Sequence, residues 1–372
     1  MKLANGETII QHFEKWAAPQ LAMEGDKIGL MVGTLKKQVK KVMVALDVLE
    51  NVIDEAIEKQ VDFIIAHHPL IYRPLTNIDV DSAHGRIVAK AMKHDITIYA
   101  AHTNLDIAKG GVNDMMARAL GLKETKVLAP TKTSALKKVA VFVPHSHVDS
   151  VREAMSQAGA GHIGNYSHCT FNSDGIGTFK PEEGTNPYIG KQGELEKVEE
   201  VKVETIVPVE RENRVVQALI KAHPYEEPAY DIYPLDNEGE VFGLGRIGTL
   251  EKPMKLVDFA EHVKRVFDVK GARVVGDLDA SVKTVAVVGG DGNKYVPIAL
   301  QKGADVIVTG DVYYHVAHDA MMAGLHIVDP GHNVEKIMKE GVKAYLEQFL
   351  KENGYETTVI VSEENTDPFQ FV

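Results

Sequence analysis

Apolar and polar positions divide this chain of 372 residues into three segments. The first, 1–130, holds three short apolar runs typical of buried strands, and the stretches between them have the spacing of amphipathic helices. The runs are Lys41–Leu46, Val61–Ala66 and Ile96–Ala101. Strands that alternate with helices predict an α/β fold with a mostly parallel sheet.

The last segment, 242–372, repeats this rhythm in the runs Thr284–Val288, Ala304–Val308 and Gly324–Val328. When the two segments are aligned by their runs, Asp62 matches Asp305, and further along Asp106 matches Glu335. We interpret the segments as two similar α/β halves, an internal duplication that packs together as one discontinuous domain. The alternative is that any two strand–helix–strand units resemble each other.

The middle segment, 136–234, has a different pattern, close to the split ferredoxin-like order of strands and helices. We expect it to be a self-contained α+β unit inserted between the halves. Its predicted strands are Lys137–Val143, Gly161–Phe171, Gly175–Lys180, Val201–Val207 and Glu227–Tyr233, and its predicted helices are His147–Ala158 and Arg211–His223.

Charge and cysteine content exclude several classes of protein. The formal net charge of -12 argues against a dedicated nucleic-acid binder. Cys169 is the only cysteine, so no intrachain disulfide can form, which fits a reducing cytoplasm. The N-terminus lacks a signal-peptide pattern, and no apolar run approaches the roughly 20 residues that span a bilayer. We therefore expect a cytoplasmic protein with no membrane or nucleic-acid partner.

Two adjacent histidines, His67 and His68, follow the apolar run Val61–Ala66. Open α/β sheets bind ligands at the carboxyl ends of their strands, so both imidazoles are candidates for a binding site. Taken alone, the pair is better explained as ordinary polar loop residues.

Carboxylates follow two further strand ends. Asp106 comes shortly after Ile96–Ala101, where it could also act as a helix cap. His332 and Glu335 lie three residues apart after a turn, a spacing that puts both side chains on one helical face. Taken alone, this pair is explained equally well by a capping arrangement of exposed polar residues. The repeat makes Asp106 and Glu335 equivalent, and this favours their convergence on one site.

Together these positions supply three imidazoles and two carboxylates, namely His67, His68, Asp106, His332 and Glu335. Five ligands suit two divalent ions better than one closed tetrahedral site. Without thiolates the candidate metals are zinc, which we favour, manganese, iron and nickel. Positions left open for water or substrate indicate a hydrolytic centre.

Asp311 and His315 are the candidates for acid/base catalysis or for orienting the ligands, because they lie four residues apart after a strand. His102 and His318 are further candidates of this kind. The alternative for Asp311 and His315 is that they satisfy hydrogen bonds at a helix start.

The segment Gly243–Gly248 matches a dinucleotide-binding G-x-G-x-x-G pattern literally. It lacks the required strand and immediate helix, so we interpret it as a turn that opens the second half. Arg246 within it could still contact a phosphate.

Several motifs, taken in order, resemble the dinuclear-metal family of NGG-interacting factor three, whose bacterial members are often labelled GTP cyclohydrolase 1 type 2 homologues. The motifs are Ala66–Leu70, His102–Asp106, Gly243–Gly248, Thr309–Asp311 and Gly331–Glu335. The middle segment, including His223–Pro228, resembles the PII/CutA-type insertion of longer bacterial members. The resemblance implies two metal ions on the five ligands, a ring-shaped homohexamer and GTP as a possible substrate.

The first functional hypothesis is therefore a metal-dependent hydrolase, possibly one that acts on GTP. The alternative is a regulatory or scaffold metal protein whose inserted unit senses a small ligand. A third possibility, a ring that encircles nucleic acid, is disfavoured by the acidic charge.

Overall fold

The structure, a computed structural model, describes residues 2–372 and has a mixed α/β fold. The chain forms two compact units. We call the described residues up to 132, with 242–372, the terminal unit, and residues 133–241 the inserted unit. From sequence alone, the corresponding bounds are 1–130, 136–234 and 242–372.

The longest strands among the described residues are β7, with 22 residues, and β10, with 26 residues. The strands in chain order are β1 (Ala4–Asn5), β2 (Gly29–Val32), β3 (Gln38–Val39), β4 (Lys41–Ala45), β5 (Phe63–Ala66), β6 (Thr97–Ala100), β7 (Lys123–Pro144), β8 (Thr170–Phe179), β9 (Glu196–Pro208), β10 (Tyr230–Lys255), β11 (Arg273–Val275), β12 (Ser281–Asp291), β13 (Val306–Gly310), β14 (His326–Asp329) and β15 (Thr358–Val361).

The helices are α1 (Gly6–Trp16), α2 (Glu50–Glu58), α3 (Ala83–Lys93), α4 (Thr103–Ile107), α5 (Val112–Ala119), α6 (Val148–Gln157), α7 (Glu212–Ala222), α8 (Leu256–Phe267), α9 (Val296–Gln301), α10 (Tyr314–Met322) and α11 (Met338–Glu352). Short 3-10 helices add Pro19–Leu21, His145–His147, Val209–Arg211, Asn293–Tyr295 and His332–Ile337.

The first sheet of the terminal unit has the strand order β15-β4-β5-β6-β2. Strands β15, β4, β5 and β6 are parallel, and β2 is antiparallel to β6. Every residue of β5 is fully buried, as expected for a parallel strand with both faces covered. The three apolar runs of the first segment correspond to β4, β5 and β6, whereas β2 and β15 were not among the predicted strands.

The second sheet of the terminal unit contains β11, β14, β13, β12 and β10 in that order. Strands β12, β13 and β14 are parallel, whereas β11 and β10 are antiparallel to their neighbours. In both sheets three consecutive parallel strands bring their carboxyl ends to one edge. A single buried core joins the halves, with Phe13 and Ile65 from the first and Phe259, Val308 and Met338 from the second.

The inserted unit is built on the antiparallel strands β7, β9 and β8, in that order. Its core includes Val141, Val203 and the helix residues Val151 and Leu219. The strand predicted over Gly161–Phe171 is wrong, since only Thr170 and Phe171 lie in a strand. Gly161 (φ 72°) and Gly164 (φ 56°) lie in the left-handed region, which interrupts extended backbone.

The turn predicted over Gly243–Gly248 is also wrong, because these residues lie inside β10 and Arg246 and Gly248 pair with β12. Gly243 is required by close approach of the backbone: a Cβ there would be 2.1 Å from the Ala129 carbonyl oxygen. Within residues 2–372, no helix has both the length and the apolar character needed to cross a bilayer.

Candidate metal centre

The first half of the terminal unit places two histidines of the site at the end of a parallel strand. His67 and His68 follow β5 directly, and their backbone N–H groups donate to the carbonyls of Ala45 (3.1 Å) and Leu46 (2.9 Å). The ladder between β4 and β5 thus continues past the end of β5. Both imidazoles are therefore carried on backbone that is hydrogen-bonded rather than on a free loop.

The second half contributes a 3-10 helix, His332–Ile337, that begins after Gly331 (φ 87°). Side chains three residues apart eclipse each other in a 3-10 helix. His332 Nε2 accordingly lies 3.3 Å from Glu335 Oε2. The spacing of three residues predicted a shared face, and the tighter helix brings the two side chains into contact.

The Glu335 carboxylate lies among three imidazoles. Its Oε2 is 3.0 Å from His68 Nε2 and 3.7 Å from His67 Nε2, in addition to the contact with His332. Asp106 Oδ1 is 3.5 Å from His67 Nε2. The structure therefore brings together all five residues that the sequence singled out as ligands, and Glu335, 3% exposed, is the group they share.

Hydrogen bonds at Nδ1 fix the orientation of the imidazoles. His67 Nδ1 donates to the Ala101 carbonyl at 2.8 Å, which leaves the lone pair on Nε2. His68 Nδ1 lies 2.6 Å from Asp47 Oδ1, and His332 Nδ1 lies 2.6 Å from Asp311 Oδ2. A carboxylate or carbonyl on one ring nitrogen is the usual partner of a histidine that binds metal through the other.

Asp311 and His315 are not a pair in the structure. Asp311 contacts His332, whereas His315 is exposed on α10 with its ring 5.3 Å from that of Tyr314. The groups in residues 2–372 that could hold a metal ion do not include His315. His318 is not among these groups either, and its ring lies 4.6 Å from that of Tyr314 at an interplanar angle of 47°.

Two aspartates of the site were missed by the sequence analysis. Asp47 follows β4, so the strand-end argument applied to His67 would also have found it. Asp26 lies in an irregular segment that gives no periodic signal. The Oδ1 of Asp26 accepts a hydrogen bond from His102 Nδ1 at 2.8 Å, and the His102 ring lies 5.3 Å from that of His67.

The charged groups of the site perturb one another strongly. Burial opposes protonation of His68, but the hydrogen bonds to Asp47 and Glu335 outweigh it and raise its pKa to about 10. Burial likewise opposes protonation of His332, whose pKa the contacts with Glu335 and Asp311 raise to about 9. Burial raises the pKa of Asp106 to about 6, whereas hydrogen bonds from the imidazoles hold the pKa of the equally buried Glu335 well below its usual value.

Two buried polar atoms indicate where a cation would fit in the site. His67 Nε2 and Asp106 Oδ1 have no hydrogen-bond partner among the described residues. An unsatisfied buried polar atom costs about 1–3 kcal/mol, so a group that satisfies both atoms is expected between them. Imidazole nitrogen with carboxylate oxygen is a donor set suited to a divalent cation.

Three overlapping groups could hold such a cation, each with ligand atoms within 4.8 Å of one another. Two of them share Glu335, and the third consists of histidines alone. They are His67 with Asp106 and Glu335, His68 with His332 and Glu335, and His67 with His68 and His102.

Comparison with known proteins agrees with the motifs. Residues 4–368 match the family model described as Duf34/NIF3 (NGG1p interacting factor 3). A protein of Halalkalibacterium halodurans named GTP cyclohydrolase 1 type 2 homolog is 66% identical, and its Bacillus subtilis namesake is 58% identical, with 100% of each chain covered. The crystal structure of a Bacillus cereus protein related to NIF3 superposes with a TM-score of 0.95 at 59% identity, again over 100% of both chains.

A CutA from Xylella fastidiosa also aligns, but over 27% of this chain, with a TM-score of 0.22 and 14% identity, which is too low to assign the fold of the inserted unit. Full-length matches in sequence and structure, together with the cluster around Glu335, establish that this chain belongs to the DUF34/NIF3 family.

Proposed function

We propose that the chain is a metal-dependent hydrolase with a dinuclear centre. His67, Asp106 and Glu335 would hold one ion, and His68, His332 and Glu335 would hold the other. The observation that carries this proposal is the position of Glu335 Oε2 among three imidazole Nε2 atoms. A carboxylate in that position is suited to bridge two ions.

When bound, two such ions polarise a substrate oxygen and activate a water molecule for attack. Asp47 and Asp311 hold the Nδ1 protons of His68 and His332, so that each Nε2 faces the site. We therefore assign Asp311 a positioning role. The acid/base role predicted for His315 stays a prediction, and its exposed place on α10 does not favour it.

Zinc is the metal we propose, with manganese, iron and nickel as alternatives, because three nitrogen and two carboxylate ligands suit all four. The names of the relatives point to GTP, and we propose a guanine nucleotide as the substrate class. The expected reaction is hydrolytic opening of the five-membered ring of the guanine base.

We further propose that the terminal unit arose by duplication. In each of its sheets, three strands that follow one another in the chain (β4, β5 and β6; β12, β13 and β14) are parallel, and an antiparallel strand pairs with the third. The inserted unit is proposed to be ferredoxin-like, of the PII/CutA type. A cytoplasmic homohexamer is proposed from the family resemblance.

The test is metal content and GTP turnover of the purified full chain. We expect two zinc ions per chain by elemental analysis and release of a ring-opened formamidopyrimidine product. The His67→Ala/His68→Ala variant should lose both, whereas the matched control His84→Ala/His94→Ala, which removes two exposed histidines, should keep both. Equal turnover by the His67→Ala/His68→Ala variant would refute a hydrolase at this centre. Two bound ions without GTP turnover would remove GTP as the substrate.

A second candidate role is sensing of a small ligand by the inserted unit. A cavity of about 690 Å³ in that unit favours it. This role is compatible with the hydrolase and does not require it.

A further inference from the structure

A cavity of about 690 Å³ lies wholly within the inserted unit, between β8, the loop that follows it and the segment around Tyr225. Pockets for small molecules usually measure about 300–1,000 Å³. The cavity is remote in sequence from every proposed metal ligand. The cavity is large enough for a small molecule, and none of its lining residues belongs to the metal centre, so its function has to be explained separately.

Aromatic rings form the apolar walls of the cavity. The rings of Phe179 and Tyr225 lie 5.6 Å apart, and those of Tyr188 and Tyr225 lie 6.2 Å apart. Phe142 adds a fourth ring to the lining. Aromatic rings can attract a cation through the quadrupole of their faces and can pack against an apolar body.

A buried carboxylate faces the same space. Glu200, within β9 (Glu196–Pro208), is 6% exposed and lines the cavity. Its Oε1 accepts a hydrogen bond from the Tyr225 hydroxyl at 2.9 Å. A buried carboxylate is costly unless its charge is paired, so a cationic partner in the cavity would be favourable for Glu200.

Gly177 on the neighbouring strand leaves room for this carboxylate. A Cβ at that position would lie 2.0 Å from Glu200 Oε2. Any larger residue would therefore displace the carboxylate from its place in the cavity wall. The glycine and the buried glutamate together make a built site rather than a chance acidic surface.

The other charged residues of the lining indicate whether the ligand is a cation or an anion. Asp174, Glu182, Glu226 and Glu227 line the cavity with Glu200, against two lysines, Lys180 and Lys202. Lys202 lies 3.2 Å from Glu204, which offsets part of its charge. An anionic ligand such as a phosphate would meet an excess of carboxylates, whereas a cation would be favoured.

We propose that this cavity binds a small organic cation, an amine or quaternary ammonium group carried on an apolar body. Glu200 is the counter-charge, and Phe179, Tyr188 and Tyr225 are the aromatic walls. The inference rests on the second candidate role and is independent of hydrolysis at the metal centre.

Calorimetric titration of the full chain tests the proposal with three probes of similar size: benzyltrimethylammonium, neutral benzyl alcohol and anionic phenylacetate. We expect saturable binding of one benzyltrimethylammonium per chain, about tenfold or more tighter than either other probe. Absence of saturable binding by the cation would overturn the proposal. Tighter binding of phenylacetate or benzyl alcohol would leave a ligand cavity but would overturn its cationic specificity.

Variants localise the binding. Glu200→Gln should weaken it about tenfold or more, because it removes the charge while keeping the shape. The matched control Glu199→Gln changes the adjacent, exposed residue of β9 and should bind as the unaltered chain does. Equal binding by Glu200→Gln and Glu199→Gln would overturn the proposal.

Tyr188→Leu provides a second variant that does not disturb a buried group, since Tyr188 is 53% exposed. It should weaken binding severalfold, and unchanged affinity would contradict the aromatic wall. The His67→Ala/His68→Ala variant should bind the cation normally, so failure of the hydrolase proposal and failure of this one give different results.

Discussion

Arg246 donates two hydrogen bonds to Asp114, from Nε to Oδ1 at 2.6 Å and from Nη2 to Oδ2 at 2.7 Å. Its Nη1 donates to the carbonyls of Gly243 and Gly245. The pair joins β10 to α5, so it ties the two halves of the terminal unit together. All three guanidinium nitrogens are used within the chain, which argues against the phosphate contact considered from sequence.

We expect Arg246→Lys to lower the free energy of unfolding by about 1–3 kcal/mol, because an ammonium group cannot reproduce the planar, two-point contact. Urea unfolding followed by the fluorescence of Trp16 measures the change. The control Arg265→Lys makes the same substitution at an exposed position of α8 and should have little effect. Equal midpoints for the two variants would contradict the structural role of Arg246.

Removing the charge that orients an imidazole should weaken metal binding. We expect Asp311→Asn and Asp47→Asn each to reduce zinc affinity by about 10- to 100-fold, the usual effect of losing such a partner. Competition with a chromophoric chelator measures the affinity. Asp319→Asn, an exposed change on α10, is the control, and a loss of affinity as large there would show that the effect is not specific.

Gly290 packs against the metal ligands. A Cβ there would lie 2.9 Å from Glu335 Oε1 and 3.0 Å from His332 Nε2, on backbone with φ of 58°. We expect Gly290→Ala to lose metal. Gly303→Ala is the matched control, because Gly303 also has a positive φ, 75°, but has open space where the Cβ would go.

Both alanine variants should lose about 1 kcal/mol of stability from the strained backbone, but only Gly290→Ala should lose bound zinc. Elemental analysis after dialysis separates the two effects. Full zinc content in Gly290→Ala would contradict the placement of Glu335 and His332.

Glu55 anchors the segment after β15. It accepts hydrogen bonds from the Ser362 hydroxyl (2.5 Å), the Glu363 N–H (2.9 Å) and Lys59 Nζ (2.8 Å). Burial opposes ionisation, but these bonds outweigh it and lower the pKa of Glu55 below its ordinary value of 4.5. Because the folded pKa is depressed, the ionised carboxylate stabilises the fold above pH 4.5, and this contribution is lost as the pH falls through the lower, folded value.

We therefore expect Glu55→Gln to lower the free energy of unfolding by about 1–3 kcal/mol at pH 7 and by progressively less as the pH falls below 4.5. Urea unfolding across this pH range measures the difference. Glu58→Gln, an exposed change on the same helix, should show no such dependence. If the free energies of unfolding of Glu55→Gln and the unaltered chain differed by the same amount at all pH values, the role of the Glu55 charge would be contradicted.

The sequence pattern was sufficient to predict a buried strand and the candidate ligands at its end, because these features lie within one short segment. The apolar runs before His67 and His68 predicted a buried strand, and β5 is fully buried. The same strand-end argument selected Asp106, His332 and Glu335, and it would have selected Asp47 if applied to β4. These inferences hold because a parallel strand that is buried on both faces is a continuous apolar run, which can be recognised within one segment of the sequence.

The tertiary structure alone decided which side chains meet. His68 and Glu335 are 267 positions apart in the chain, and no local period reports their contact. Asp311 contacts His332 and does not pair with His315. Arg246 binds Asp114, and the segment Gly243–Gly248 around it is a strand where a turn was predicted. Periodicity fixes the face that a segment buries, whereas the partner of a polar group depends on the path of the whole chain, because hydrogen bonds require a specific distance and direction.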